Sequence, residues 1–415
     1  VIEIKMILLH NALLRRIILF LILCTHLFAD NKHPIIFVHG FMGWGPDEMA
    51  GYKYWGGKKD IINYLKEQGF EVYTASVGPV SSNWDRAVEL YYQIKGGQVD
   101  YGQDHAKTYG LIQKPEAKNF PGLYPEWDQN HPIHIIGHSM GGQTARMLQY
   151  LLESVFCLKE EKEQPEESTL LGYVHTGWIT SITTMSTPHN GTTLSDIITK
   201  GIPFLQDVMG VAAVVGNDFF DFDLQQWGFE KRREETWVAY FRRMREHKAW
   251  GTRNMCAWDV SLEGAKSLNT LAPVSSNIYY FSYATSNTKL DSASGFHVPH
   301  KSMNLILRAN ARIMGRKKAY WTDGTATDFT WYENDGIVNT ISQLGPTTGT
   351  DGEDHIGAYK ADKLLIPGQW YHIKTYNLDH KAFIGHGLKG DEKINEMLAL
   401  FKDQCNLLQS LPAKE

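Results

Sequence analysis

Residues 134–152 read HIIGHSMGGQTARMLQYLL, and the fold is decided here. Ile133, Ile135 and Ile136 predict a short buried strand, and 144–152 carries good helix formers. Between them lies GHSMGG, residues 137–142. Strand, tight corner and helix in that order are the setting of a nucleophile elbow, with the Ser139 hydroxyl thrust out above the end of a sheet. The backbone at such a corner is strained and the helix lies close to the strand. Gly137, Gly141 and Gly142 meet both demands. A bare GxSxG is a weak signal; its strand and helix flanks are what give it weight. The plain alternative is a glycine-tight turn carrying an idle serine.

Working outward, residues 34–45 read PIIFVHGFMGWG, a second strand at Ile35–Val38 followed by a glycine-containing loop. In an α/β architecture with a serine elbow, the loop after an early strand donates one backbone N–H to an oxyanion hole. The residue after the nucleophile donates the other. Those donors are then Phe41 and Met140. His39 precedes the serine, whereas this architecture orders its triad serine, acid, histidine, so His39 reads as a loop brace.

The base and acid must follow Ser139. The claimants for the base are His175, His189, His247, His297, His300, His355, His372, His380 and His386. His380 is chosen because it sits in the short polar loop NLDH, just after the strand-like WYHIKTYN beginning at Trp370. For the acid, Asp335 lies in WYENDGIVN, in an Asn334-Asp335-Gly336 turn between an aromatic strand end and the apolar pair Ile337-Val338. A carboxylate in such a turn can fix a histidine tautomer and stabilise its cation. Asp379 is the runner-up, ranked lower because chain neighbours seldom point at each other.

These motifs resemble the secreted triacylglycerol lipases of staphylococci and thermophilic bacilli. The resemblance is carried in order by HGFMGWG (39–45), GYKYWGG (51–57), SSNWDRAVELYYQIKGGQVDYG (81–102) and GHSMGGQTARML (137–148). It continues through STPHNGTTL (186–194), QWG (226–228), ENDGIVNT (333–340) and TYNLDH (375–380). It implies an α/β-hydrolase fold, a mostly parallel central sheet with helices on both faces and a helical lid insertion. It also implies Ser139, Asp335 and His380 as triad, Phe41 and Met140 as oxyanion donors, and acyl transfer from a lipid ester to water.

The resemblance further implies a structural zinc and a calcium, and here the chain departs from it. The zinc positions fall on Asp60, His105, Leu111 and Gln225, and leucine cannot bind zinc. Asp221 is a possible substitute for Gln225. The calcium positions fall on Ala382 and Gly387, with Leu388 next, and only the Asp291 carbonyl survives. Neither metal is expected to bind tightly, so no cofactor is expected.

Composition agrees with a soluble globular enzyme: 415 residues, 43% hydrophobic and 21% charged. The net charge of −5 gives no reason to expect a nucleic-acid partner. Arg15-Arg16, the apolar run IILFLILC (17–24) and THLFA read as a secretory signal cut after Ala29. A signal anchor and a lipobox at Cys24 are the alternatives. The expectation is a signal peptide over 1–29, one domain over 30–415, and a secreted or periplasmic protein. Removal of the signal leaves Cys157, Cys256 and Cys405, which are no disulfide framework. In the segment about 195–220, Phe204, Leu205, Val208, Met209 and Ala212 recur at helical spacing. With the resemblance, this stripe reads as a lid over an acyl cleft, opened at an oil–water or membrane interface; by itself it equally fits a plain core helix. A secreted lipase is thus the leading expectation. The others are a carboxylesterase or phospholipase on the same triad, and a non-catalytic lipid-binding homologue.

Overall fold

The computed structural model describes residues 31–154, 156, 168–195, 223–229, 232–347 and 356–413. The signal segment, nearly all of the lid segment, Asp221, Cys157 and His355 lie outside the described residues.

Eleven strands occur among the described residues: β1 (Ile35–Val38), β2 (Val72–Ala75), β3 (Gly97–Gln98), β4 (Asn119–Phe120), β5 (Ile133–His138), β6 (Ile179–Met185), β7 (Tyr279–Thr285), β8 (Thr288–Asp291), β9 (Phe296–Pro299), β10 (Ile356–Ala358) and β11 (Trp370–Tyr376). Seven form one sheet in the order β10-β11-β7-β6-β5-β1-β2, and every pair in it is parallel. The remaining four make two small antiparallel pairs. This is the expected α/β-hydrolase sheet. Strands buried on both faces read as continuous apolar runs, as IIFV of β1 does.

Side chains alternate across each strand and so divide between two cores. Ile36, Val38, Ile133 and Ile135 pack with Ala87, Leu90, Ile94, Ala145, Leu148 and Leu151 of the helices Asn83–Lys95 and Met140–Glu153. Ile35, Phe37 and Ile136 face the opposite layer, where Ile61, Leu65, Phe401 and Leu408 come from the helices Ile61–Glu67 and Asp391–Gln409. Each large apolar side chain so buried is worth about 1.5–3 kcal/mol. Helices on both faces follow from this.

The sheet order also locates the site. From β1 the chain builds outward to β2, then returns to place β5 on the other side of β1. Parallel sheets bind ligands where the strand order reverses, at the carboxyl ends of the strands. Here those ends are His39-Gly40 after β1 and Ser139 after β5.

One local expectation fails. The aromatic stretch before Asp335 is a 3-10 turn, Phe329–Tyr332, rather than a strand end. Asp328 caps it by accepting from the Thr330 N–H at 3.0 Å, and that local bond outweighs the strand preference of the aromatics. Cys256 and Cys405 are both free and buried, in different cores.

Candidate active site

β5 ends at His138 and the next helix begins at Met140, so Ser139 alone makes the corner. Its φ of 55° and ψ of −131° lie where a side-chain-bearing residue rarely sits, at a cost of about 1–3 kcal/mol. The surroundings hold it there. Its N–H donates to the Met185 carbonyl at 2.8 Å, and its carbonyl accepts from Gly142 at 3.1 Å. A Cβ on Gly137 would lie 2.5 Å from the Gly141 backbone, and one on Gly141 would lie 2.2 Å from the Val38 carbonyl oxygen. Only glycine lets the helix approach β5 and β1 this closely.

The loop after β1 lies against this corner. A Cβ on Gly40 would stand 2.7 Å from the Ser139 Cβ. The turn is closed by Gly43 N–H donating to the Gly40 carbonyl at 3.1 Å. Among the described residues, neither Phe41 nor Met140 gives its N–H to a main-chain acceptor outside regular elements. Two donors beside a strained serine match the demand of a developing oxyanion. His39 braces the loop: its Nδ1–H donates to the Gly40 carbonyl at 2.9 Å, and Nε2 accepts from Val77 N–H at 3.2 Å. Burial, helped by Arg86, lowers the His39 ring to about 3 and keeps it neutral. Phe41, Met42 and Met140 pack with Val80, Leu224, Trp227, Met255 and Val260, an apolar wall beside the elbow.

Asp335 and His380, 45 residues apart, meet at 2.8 Å between Oδ2 and Nδ1. Asp335 is fully buried and its oxygens are saturated. Oδ1 accepts from the Ile337 and Val338 N–H groups at 2.9 and 2.7 Å. Oδ2 accepts from the Thr285 hydroxyl at 2.7 Å and the Gln343 amide at 3.2 Å besides His380. The His380 N–H donates to the Asp335 carbonyl at 3.2 Å, so main chain and ring are held by the same turn. Asp379 points elsewhere, accepting from Asn304, Lys381 and Ala382 N–H groups, and so shapes the loop. His380 reaches the elbow through His138: the two rings lie 4.7 Å apart and His138 Nε2 is 3.2 Å from the His380 carbonyl. No hydrogen bond joins Ser139 directly to His380 among the described residues; both are buried, at 7% and 5% exposure. Such bonds commonly tighten only when substrate binds.

Several residues here were given no role from the sequence. Arg86 is fully buried; its guanidinium donates to the Thr144 hydroxyl and to the Gly78 and His39 carbonyls, tying the loop after β1 to the elbow helix. Burial pulls it down to about 10. Thr285, Gln343, Tyr54 and His138 also belong to the site; Gln343 reaches Asp335 eight residues away, and the others bond to residues 50 or more positions distant. Asx-type turn chemistry marks Asp335; nothing comparable marks these.

Of the positions that the resemblance assigns to zinc, Asp60 and His105 each bond elsewhere, and no group of three or more His, Cys, Asp or Glu able to hold a metal occurs among the described residues. Asp60 caps the helix Ile61–Glu67, accepting from Asn63 N–H at 2.9 Å. His105 instead stacks on Trp84 and meets Asp85 at 2.8 Å. The Asp85 oxygens also take amide donors from Asn254 and Gln226. Amide N–H groups aimed at that carboxylate occupy the directions a cation would need, and Leu111 packs in an apolar cluster. The donor set does not fit zinc. Ala382 and Gly387 at the expected calcium positions offer no side-chain oxygen.

Comparison with known proteins places this geometry. Residues 31–410 match the family model described as lipase-like, C-terminal domain. Lipase 2 of Staphylococcus aureus is 34% identical over 390 residues, covering 90% of this chain and 54% of that protein. The chain thus spans about half the length of the curated relatives it matches. Among solved structures, EstA from Clostridium botulinum superposes with a TM-score of 0.80 at 37% identity, covering 94% of this chain and 90% of that one. The Staphylococcus hyicus lipase gives 0.79 at 32%, covering 91% and 96%. With a parallel sheet, a serine corner at its switch point and an aspartate–histidine pair beside it, the chain belongs to the lipase-like C-terminal domain family.

Proposed function

We propose that this chain is a serine ester hydrolase, with Ser139, Asp335 and His380 as its catalytic residues and acylglycerols as its substrate class. The observation that carries this is the buried 2.8 Å Asp335–His380 hydrogen bond beside a left-handed serine corner. The Asp335 bond leaves His380 Nε2 as acceptor for the Ser139 proton. Ser139 attacks the ester carbonyl, and the Phe41 and Met140 N–H groups stabilise the oxyanion. The His380 cation then protonates the departing alcohol. Water, deprotonated by the same ring, releases the acid from the acyl-enzyme. The apolar wall of Phe41, Met42, Met140, Trp227 and Met255 suits an acyl chain. Relatives that are named lipases support the lipid reading.

We further propose that the site works without tightly bound zinc or calcium, and that residues 1–29 direct export. The catalytic assignment is tested with Ser139→Ala. Hydrolysis of tributyrin emulsion and of soluble p-nitrophenyl esters is expected to vanish while the melting temperature is kept. A phosphonate probe should label the native protein only. Ester turnover surviving in the variant refutes the assignment, and the emulsion-to-soluble-ester ratio separates a lipase from a carboxylesterase.

A further inference from the structure

The motif GYKYWGG at 51–57 has no part in the chemistry just described, yet it runs into the middle of the site. The Tyr54 hydroxyl is buried. It accepts from Gly40 N–H at 2.8 Å and lies 2.7 Å from His138 Nδ1. Burial raises this phenol well above its ordinary value, so it stays protonated and donates to Nδ1. His138 then carries its proton on Nε2, which faces the His380 carbonyl at 3.2 Å. Burial, with His380 and His386 nearby, holds the His138 ring well below 6.5 and neutral, as a one-donor, one-acceptor link requires. The segment is tied to the base loop twice more. His386 Nε2 meets the Tyr54 carbonyl at 2.8 Å, and Gly56 N–H donates to the Ile384 carbonyl at 2.8 Å.

We infer that Tyr54 and His138 are positioning residues, a hydrogen-bonded relay that keeps the oxyanion loop, the serine corner and the His380 loop in mutual register. The relay begins one residue before Phe41, passes through the residue before Ser139 and ends on the main chain of His380. Each of the three catalytic parts comes from a different strand end, so a fixed length between them needs a cross-link of this kind. Misplacement by about 1 Å costs on the order of 100-fold in rate. The inference rests on the serine hydrolase reading above.

The test compares native protein with Tyr54→Phe, His138→Asn and His138→Gln on a soluble p-nitrophenyl ester, alongside melting temperature and circular dichroism. Tyr54→Phe is expected to lower kcat roughly 10- to 100-fold, with KM within about twofold, and to lower the melting temperature by a few degrees because Gly40 N–H and His138 Nδ1 lose their buried partner. An asparagine amide replaces Nδ1 but falls short of His380, whereas a glutamine amide replaces Nε2 and reaches its carbonyl. His138→Gln is therefore expected to keep several-fold more kcat than His138→Asn, a ranking that decides the matter even if Tyr54→Phe does not fold. Tyr54→Phe with kcat within threefold of native overturns the relay, as do equal rates for the two His138 variants. Ser139→Ala serves as control: if it still turns over ester, the hydrolase reading itself has failed and the relay falls with it. That differs from Ser139-dependent turnover indifferent to Tyr54.

Discussion

Replacing Asp335 by asparagine changes one atom, and the structure says what that atom does. An asparagine offers one acceptor oxygen and one NH2 in place of two acceptors. Turned one way, the NH2 faces the Ile337 and Val338 N–H groups at 2.9 and 2.7 Å, which are main chain and cannot turn. Turned the other way, it faces Thr285, Gln343 and His380. Gln343 is locked, since its Oε1 accepts from Thr285 N–H at 2.7 Å and its Nε2 donates to the Thr285 and Val338 carbonyls. The hydroxyl can rotate, and the imidazole can move its proton. The second orientation therefore wins, and it makes His380 Nδ1 an acceptor with the proton on Nε2. A ring in that tautomer cannot take the Ser139 proton. In a serine triad, the wrong tautomer costs about 10^4 in kcat, or about 5 kcal/mol of transition-state stabilisation. Mispaired donors around residue 335 cost a further ~1–3 kcal/mol of stability. Steady-state hydrolysis of a soluble ester, with a melting curve, reads both. A folded Asp335→Asn with kcat within tenfold of native would refute the reasoning.

Other perturbations give equally definite outcomes. Gly40→Ala places a Cβ 2.7 Å from that of Ser139 and 2.8 Å from the His138 carbonyl oxygen. The loop must retreat and carry the Phe41 donor with it, so kcat should fall about 100-fold, near the value of one oxyanion donor; an unchanged rate removes Phe41 from that role. Burial raises Asp259 to about 7, with Asp85 nearby acting in the same direction. The folded state then holds a proton that the unfolded chain releases near 3.8, so stability is greatest below that value and falls as pH rises toward 7, by up to about 1.4 kcal/mol per pH step. Denaturant titrations at pH 5 and 8 should show this slope and Asp259→Asn should flatten it; a slope kept in the variant assigns it elsewhere. Dialysis against EDTA should leave melting temperature and ester turnover unchanged, and elemental analysis should find far less than one zinc or calcium per chain. Stoichiometric metal in the purified protein sinks the metal-free proposal.

Local chemistry explains what could be read in advance. Strands β1 and β11 match the expected stretches because continuous apolar runs and β-branched residues speak for themselves. The corner at Ser139 was legible because a strained turn demands small neighbours in a fixed order. Asp335 was legible as a turn residue, although the aromatic segment before it was misread as strand. Asp60 shows the opposite. The family resemblance put a zinc position there, but its side chain is spent on a helix cap, and the carboxylate that His105 meets is Asp85.

The chain alone therefore determined the strands flanking the corner, the serine corner itself and the short list of acids and bases, which follow from periodicity and turn chemistry within a few residues; the parallel sheet was implied by the family resemblance. Folding decided which of those groups share a hydrogen bond. It brought Asp335 to His380 rather than Asp379, and Asp85 to His105 rather than Asp60. It also recruited Thr285 and Gln343, which lie outside the quoted motifs, and Tyr54, His138 and Arg86, which lie inside them but were given no role there. The reason is physical: a buried polar group must find a partner wherever the packing places one, and for these side chains the partner lies as far as 242 residues away.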